Sequence, residues 1–265
     1  MIPFSEITLG AIEAARLGGE IVKKGFHSSF FIRNKEGQNN LVTEYDLASE
    51  KRIISFIKTK FPSHQIVAEE SGGNLSSESI QWIIDPIDGT SNFAHGIPTF
   101  SISIGVRQKN TLITGVVYHP LTDELFVAEK NKGAFLNDKK ISISSTESLE
   151  EAFIAFELPY NLQTNPHHII DRIQLFLQKG CSLQRTGSSA LDLAYLACGR
   201  YDAFFSNGLG AWDCAAGILL VEEAGGAIAS WDKTPFSLAT TQNALIAANK
   251  KIMIPLQEIF FQEIS

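Results

Sequence analysis

Apolar residues recur at helical spacing over residues 5–26, where Ile7, Ala11, Ala14, Ala15, Gly18, Ile21 and Val22 share a face. Ser5 stands where a helix cap is wanted. Residues 33–42 are polar and aperiodic, and read as a mobile loop carrying Lys35. Thr43 and Asp46 then have the spacing of a capping box, ahead of an apolar stripe formed by Leu47, Ile53, Ile54 and Ile57. Pro62 ends that helix, and residues 65–68 form a short strand running into Glu69-Glu70-Ser71-Gly72-Gly73. The apolar run 82–84 reads as a buried strand that stops at Asp85 and turns through Pro86, with Asp88, Gly89 and Thr90 opening a short helix.

Alternating apolar and polar positions predict strands at 100–107, 112–119, 124–129, 133–136 and 140–143, in an antiparallel meander with one face covered. A polar stretch at 142–151 divides the chain into halves, 1–145 and 146–265, expected to form one compact catalytic unit. The second half alternates strands at 152–156, 182–184, 201–205, 227–230 and 244–247 with helices at 166–179, 188–198, 212–224 and 250–261. The pattern predicts an α+β first half carrying most of the candidate ligands, and an α/β second half supplying Asp213 and substrate contacts.

Composition changes this picture little. Of 265 residues, 44% are hydrophobic and 19% charged, ordinary values for a globular chain with one large core or two modest ones. A net charge of −7 argues against direct nucleic-acid binding as the main purpose. Cys181, Cys198 and Cys214 are widely spaced, form no CxxC pair, and are expected as free thiols in a reducing compartment. No apolar run is long enough to span a bilayer, and the first residues lack a basic segment followed by an apolar core. The expected location is therefore the cytoplasm.

Candidate chemistry lies in acidic residues at strand ends and helix starts: Glu70, Asp85, Asp88 and Asp213. Each has an ordinary structural reading. Asp85 and Asp88 suit a surface turn with an Asp cap, Asp46 suits the first turn of its helix, and Asp213 suits the start of an apolar helix. Together they offer hard oxygen donors of the type that holds Mg²⁺, Mn²⁺ or Ca²⁺, with no sulfur or imidazole among them. Gly89 and Thr90 would present free N–H groups to an anion beside that cation. A phosphate ester held against Mg²⁺ satisfies both.

The residues that carry this chemistry resemble the inositol monophosphatase family. Ile84-Asp85-Pro86-Ile87-Asp88-Gly89-Thr90-Ser91-Asn92-Phe93-Ala94-His95-Gly96-Ile97-Pro98 is similar to its first signature. Trp212-Asp213-Cys214-Ala215-Ala216-Gly217, with Glu222-Glu223-Ala224-Gly225-Gly226, is similar to its second. Ala68-Glu69-Glu70-Ser71, Leu41-Val42-Thr43-Glu44-Tyr45-Asp46 and Arg185-Thr186-Gly187-Ser188-Ser189-Ala190-Leu191-Asp192-Leu193 resemble further motifs.

The resemblance implies a layered αβαβα sandwich of the inositol monophosphatase and fructose-1,6-bisphosphatase type. It also implies two or three Mg²⁺ ions per site with Mn²⁺ as an alternative, sensitivity to lithium, and a homodimer. Carried over by position, Glu70, Asp85 and the Ile87 carbonyl hold one metal, and Asp85, Asp88 and Asp213 a second. Glu70 also holds a third ion through water. Gly89 and Thr90 donate to the phosphate, Glu70 and Thr90 polarise the attacking water, and Asp46 hydrogen-bonds Thr90. Lys35 supports the phosphate side, and Gly187, Ser188 and Ser189 fall in a motif expected to line the substrate.

The match loosens at two positions. Inositol-specific members carry a glutamate seven residues before the second-signature aspartate, where this chain has Ser206, and Ser189 stands where many members carry alanine. Ser206 is then either a substrate contact or a strand-end serine. The substrate expected is myo-inositol monophosphate or a related polyol or sugar phosphate. Fructose 1,6-bisphosphate, histidinol phosphate, NADP and 3′-phosphoadenosine nucleotides are the alternatives with the same chemistry. Because some bacterial relatives also bind the transcription machinery, association with RNA polymerase is a further alternative.

Overall fold

Five layers alternate between helices and sheets, and the site lies where the inner layers meet. The computed structural model describes residues 2–34, 41–75, 79–158, 167–231, 236–238 and 243–261. The outer layer is α1 (Glu6–Gly25) and α2 (Glu44–Lys60). Ser5 caps α1 by accepting the Thr8 N–H, and Thr43 with Asp46 forms the capping box of α2. Between these helices the chain forms a ribbon of β1 (Ile32–Asn34) and β2 (Leu41–Thr43), paired antiparallel. This part of the 33–42 segment is therefore not the loop that its aperiodic sequence predicts, because three-residue strands are too short to show a period. Lys35 lies outside the described residues.

The second layer is a seven-stranded sheet in the order β3-β4-β5-β6-β7-β8-β9. Its strands are β3 (Gln65–Ala68), β4 (Ile80–Asp88), β5 (Ser101–Gln108), β6 (Thr111–His119), β7 (Glu124–Glu129), β8 (Gly133–Leu136) and β9 (Lys139–Ile141). β3 runs parallel to β4, and the remaining neighbours are antiparallel. The predicted meander is present, but the expectation of one covered face is corrected. Every residue of β5 except Gln108 is buried, since α1 and α2 cover one face and a second helical layer the other. Trp82, Phe100 and Phe126 are fully buried here, each contributing about 1.5–3 kcal/mol.

The central layer is α5 (Ser189–Ala197) and α6 (Ala211–Glu223). α6 lies against β5 and β6 at two glycines. A Cβ on Gly105 would stand 2.7 Å from the Ala215 Cβ, and one on Gly115 would stand 2.5 Å from the Ala216 carbonyl oxygen. No side chain fits in either gap, so these glycines set how closely the helix approaches the sheet.

The fourth layer is a five-stranded sheet, β11-β10-β12-β14-β13. It comprises β10 (Phe153–Glu157), β11 (Ser182–Gln184), β12 (Ala203–Leu209), β13 (Ala227–Ser230) and β14 (Asn243–Ala248). β10 is parallel to both β11 and β12, and β14 is antiparallel to β12 and β13. The last layer, α4 (His167–Gln178) and α7 (Met253–Phe261), closes a core of Phe176, Phe205, Ile246, Leu256 and Phe260. Among the described residues no helix is long and apolar enough to cross a membrane. Cys181 and Cys214 are buried, Cys198 is half-buried, and none is disulfide-bonded.

Candidate active site

β4 does not end at Asp85, as the Asp-Pro pair predicts, but continues to Asp88. Asp85 pairs with Ser103 and Asp88 with Ser101, so two residues of β4 oppose one of β5 between those pairs. Pro86, which has no N–H to donate, sits in this irregularity. Successive side chains of a regular strand alternate between faces, so residues three apart point in opposite directions. The extra residue cancels that mismatch. Asp85 and Asp88 each share a face with a cross-strand serine, and those serines lie two apart on β5. Both carboxylates therefore project from the same face.

Asp213 reaches them from the first turn of α6. Carboxylate oxygens of Asp85, Asp88 and Asp213 lie within 4.8 Å of one another. Each is also tied down. Asp85 Oδ1 accepts the Ile87 N–H at 2.9 Å, and Asp213 Oδ2 accepts the Gly210 N–H at 2.7 Å. Asp88 Oδ2 accepts the Ala190 N–H at 2.9 Å together with the Ser188 hydroxyl. Capping and clustering are thus compatible at Asp213, whose sequence context leaves the two as alternatives.

The fourth acidic group of this cluster is Glu69, and the expected role of Glu70 is corrected. β3 and β4 pair in parallel register with Ala68 beside Ile84, and the Glu69 N–H continues the ladder to the Ile84 carbonyl at 3.1 Å. Residue 69 therefore stands level with Asp85 and on the same face. Glu69 hydrogen-bonds Asp85 and lines the cavity above the aspartates. Glu70 follows by one residue, and its N–H instead donates to Glu50 at 2.9 Å. The register of β3 on β4 decides between the two glutamates, and the dipeptide alone does not reveal it.

Electrostatically the site is under tension. Burial pushes the Asp85 carboxyl well above the ordinary range, and repulsion from Glu69, Asp88 and Asp213 adds to the rise. Asp213 is raised in the same way, first by burial and then by Asp88 and Glu69. Burial lifts Asp88 to about 7, against the pull of its Ser188 and Ala190 hydrogen bonds. Among the described residues no Lys or Arg forms an ion pair with these three aspartates. A hard divalent cation relieves the repulsion, and the oxygen-only donor set fits Mg²⁺, Mn²⁺ or Ca²⁺. Cys214, next in sequence, bonds the Gly210 carbonyl and is kept protonated by burial.

Beside the carboxylates stands α3 (Thr90–Ala94), entered through Gly89 at φ +96°. A Cβ at Gly89 would lie 3.0 Å from the Thr99 carbonyl oxygen and 3.1 Å from that of Gly187, so conformation and space both require glycine. With five residues, α3 has little macrodipole. What it offers an anion are the N–H groups of its first turn, which lack helical acceptors. The Thr90 hydroxyl lies 2.8 Å from Asp46 Oδ1 and 2.9 Å from the Ile87 carbonyl, and its single hydrogen serves one at a time. Asp46 uses its other oxygen in the α2 capping box. Burial lifts Asp46 to about 6, opposed by bonds from Thr43 and Thr90.

Gly187, Ser188 and Ser189 gather at the start of α5. Gly187 and Ser189 line the cavity next to Asp88, whereas Ser188 is fully buried beneath it. Of the two readings open for Ser206, substrate contact and strand-end serine, its surroundings favour the second. It is fully buried, and its hydroxyl donates to the Glu157 carbonyl at 3.2 Å. Glu157, Arg185 and Asn207 are among the cavity-lining residues that carry no assigned role in the sequence reading. A lone glutamate after an apolar strand gives no local signal, and only the pairing of β10 with β12 brings it beside residue 206.

Buried carboxylates that repel one another require a cation, and N–H groups beside them suit an anion; a metal-dependent phosphatase uses both together. The chain belongs to the inositol monophosphatase family, whose profile matches residues 4–259. It is 38% identical to a protein named inositol monophosphatase from Mesembryanthemum crystallinum, across 98% of each chain. It is 41% identical to one named Nus factor SuhB from Haemophilus influenzae, across 84% of each. Among solved structures, extragenic suppressor protein suhB from Bartonella henselae superposes with a TM-score of 0.91 at 32% identity, covering 98% of this chain and 100% of that one. Inositol monophosphatase from Anabaena gives 0.86 at 35% identity, covering 97% and 95%. The protein is a phosphoric monoester hydrolase.

Proposed function

We propose that this enzyme hydrolyses a polyol or sugar monophosphate, with myo-inositol monophosphate as the reference substrate, using Mg²⁺. The observation that carries the reading is the four-carboxylate cluster of Glu69, Asp85, Asp88 and Asp213 beside the Gly89–Thr90 turn. Asp85, Asp88, Asp213 and Glu69 would hold the metal, with the Ile87 carbonyl as an additional oxygen donor. When bound, the metal supplies Lewis-acid neutralisation of the phosphate and a more acidic water. The N–H groups of Gly89 and Thr90 hold the phosphate oxygens. Glu69 and the Thr90 hydroxyl orient the attacking water, and Asp46 fixes the Thr90 rotamer and can take its proton. Two or three Mg²⁺ ions fit four carboxylates, Mn²⁺ can substitute, and lithium inhibition is expected.

Ligands from both halves of the chain make the two halves one catalytic unit in this reading. The resemblance also supports a homodimer. Phosphate release from a panel of monoesters tests the proposal, with added Mg²⁺, with chelator and with Asp88→Asn. Chelation is expected to abolish turnover, and the substitution to lower kcat by roughly 10²-fold or more. Turnover that survives both sinks the reading. A second role, as a binding partner of the transcription machinery, is supported by the Nus factor name of the Haemophilus influenzae relative. A pull-down with RNA polymerase tests it, and no retention removes it.

A further inference from the structure

The cavity beside Asp88 has a second charged wall that the hydrolytic chemistry does not use. Glu157 forms it, at the C-terminal end of β10, with Arg185 and Asn207 nearby. Glu157 is 6% exposed. Its Oε1 accepts the Gly187 N–H, its Oε2 accepts Arg185 Nε at 3.1 Å, and the Leu158 N–H adds a third donor. An ionised carboxylate offers about four acceptor sites, so these contacts leave acceptor capacity on a group that borders the cavity. Residue 206, on the neighbouring strand in register with Glu157, supplies no charge, and its hydroxyl points at the Glu157 backbone.

A structural role for Glu157 would be to pin the Gly187 loop. The chemistry of the position argues for more. Oε1 and Oε2 each take their own donor, so a neutral amide would set its NH2 against one of them, and the carboxylate is kept although it repels two buried neighbours, Asp88 and Asp192. A charged acceptor opposed by like charges is held by its donors, and a ligand hydroxyl in the cavity would add one to those of Gly187, Arg185 and Leu158. A phosphate held at Gly89 directs the alcohol portion of the ester into this cavity, because Asp88 and Gly89 form its near side.

We propose that Glu157 is a specificity-determining residue whose carboxylate, oriented by Arg185, accepts a hydrogen bond from a free hydroxyl on the alcohol portion of the substrate. Polyol and sugar monophosphates are therefore preferred over alkyl phosphates of the same size. The inference rests on the phosphomonoesterase reading above and deepens it.

The test compares myo-inositol 1-phosphate with cyclohexyl phosphate, a ring of the same size without hydroxyls, on the Mg²⁺-loaded wild type and Glu157→Gln. The wild type is expected to favour the inositol ester by about 10–100-fold in kcat/KM, as for a hydrogen bond to a charged group. Glu157→Gln is expected to lose most of that preference, chiefly through KM, while its kcat/KM for cyclohexyl phosphate stays within about threefold. Equal losses on both esters would reduce Glu157 to a loop anchor and overturn the proposal, as would no loss on either. If the variant does not fold, the wild type alone decides: equal rates on the two esters overturn it. Absence of Mg²⁺-dependent hydrolysis of any monoester by the wild type is a separate result, which removes the phosphatase reading itself.

Discussion

The two walls of the cavity are built by different means. On the carboxylate wall, Glu69 and Asp85 share a level because β3 and β4 are in parallel register, and Asp88 joins them through one extra residue in β4. Asp213 is delivered by a helix seated on Gly105 and Gly115. Backbone geometry in the interior of the fold fixes every member. On the opposite wall, Glu157, Arg185 and Asn207 come from strand ends and the loop before α5, and Arg185 is half-exposed. The chemistry is thus placed where the backbone has no freedom, and the groups facing the alcohol stand where side chains can change without moving the sheet. A fold arranged in this way can alter its substrate while keeping its reaction.

The strand register can be challenged first, because it predicts the largest contrast. Glu69→Gln should lower kcat/KM by about 10²–10³-fold on every substrate, whereas Glu70→Gln should stay within about threefold. Equal losses in steady-state phosphate release would show that register does not separate the two glutamates.

The electrostatic tension of the carboxylate wall gives the next effect. In the metal-free protein Asp46 is raised from 3.8 to about 6 and Asp88 to about 7, so between these values the folded state holds protons that the unfolded chain has released. Their contribution to stability is complete below the unfolded value and is lost as pH rises through the folded one. For Asp46 alone this amounts to about 3 kcal/mol, at 1.36 kcal/mol per unit. Metal-free thermal stability should therefore fall between about pH 4 and pH 7, and added Mg²⁺ should raise the melting temperature more at the upper pH. Thermal unfolding with and without chelator checks this, and a metal-free melting temperature that rises across the window contradicts it.

Helix seating comes third. Gly115→Ala should cost about 1–3 kcal/mol by overpacking, and should weaken Mg²⁺ binding because Asp213 shifts with α6. Denaturant titration together with calorimetric Mg²⁺ binding measures both. A loss of stability with unchanged affinity would separate the seating from the ligand geometry. The smallest effect belongs to Ser206→Ala. Removing its buried hydroxyl should cost about 1 kcal/mol, with kcat/KM unchanged to within about twofold on the inositol ester. A larger kinetic loss would return residue 206 to the substrate wall.

Much of the fold is legible along the chain because its helices and most of its strands carry clear periods. The bounds of β3, β7, β8, β11 and β13 coincide with the apolar runs. What periodicity misses has specific causes. The β1–β2 ribbon is too short to repeat. The meander shows alternation along much of its length, yet helices cover it on both sides, and small polar residues such as Ser101, Ser103 and Thr114 are buried there. Asp85, Asp88 and Asp213 stand at recognisable motif positions. Choosing Glu69 over Glu70 requires the pairing of two strands, and recognising Glu157 requires the pairing of two others. Neither can be seen from the residues on either side.

The irregularity in β4 also bears on how this protein tolerates changes of chain length. Deleting Pro86 would leave Asp85 and Asp88 two apart and still on one face, whereas inserting one residue between Ser101 and Ser103 of β5 would make the ladder regular and turn Asp88 through the sheet, away from Asp213, with every ligand residue still encoded. Exposed hairpin turns such as Lys109-Asn110 lie far from any such requirement. Across this pair of strands the difference in residue count is itself a determinant of metal binding, and a one-residue insertion in β5 there cannot be rescued by any substitution that keeps the ladder regular.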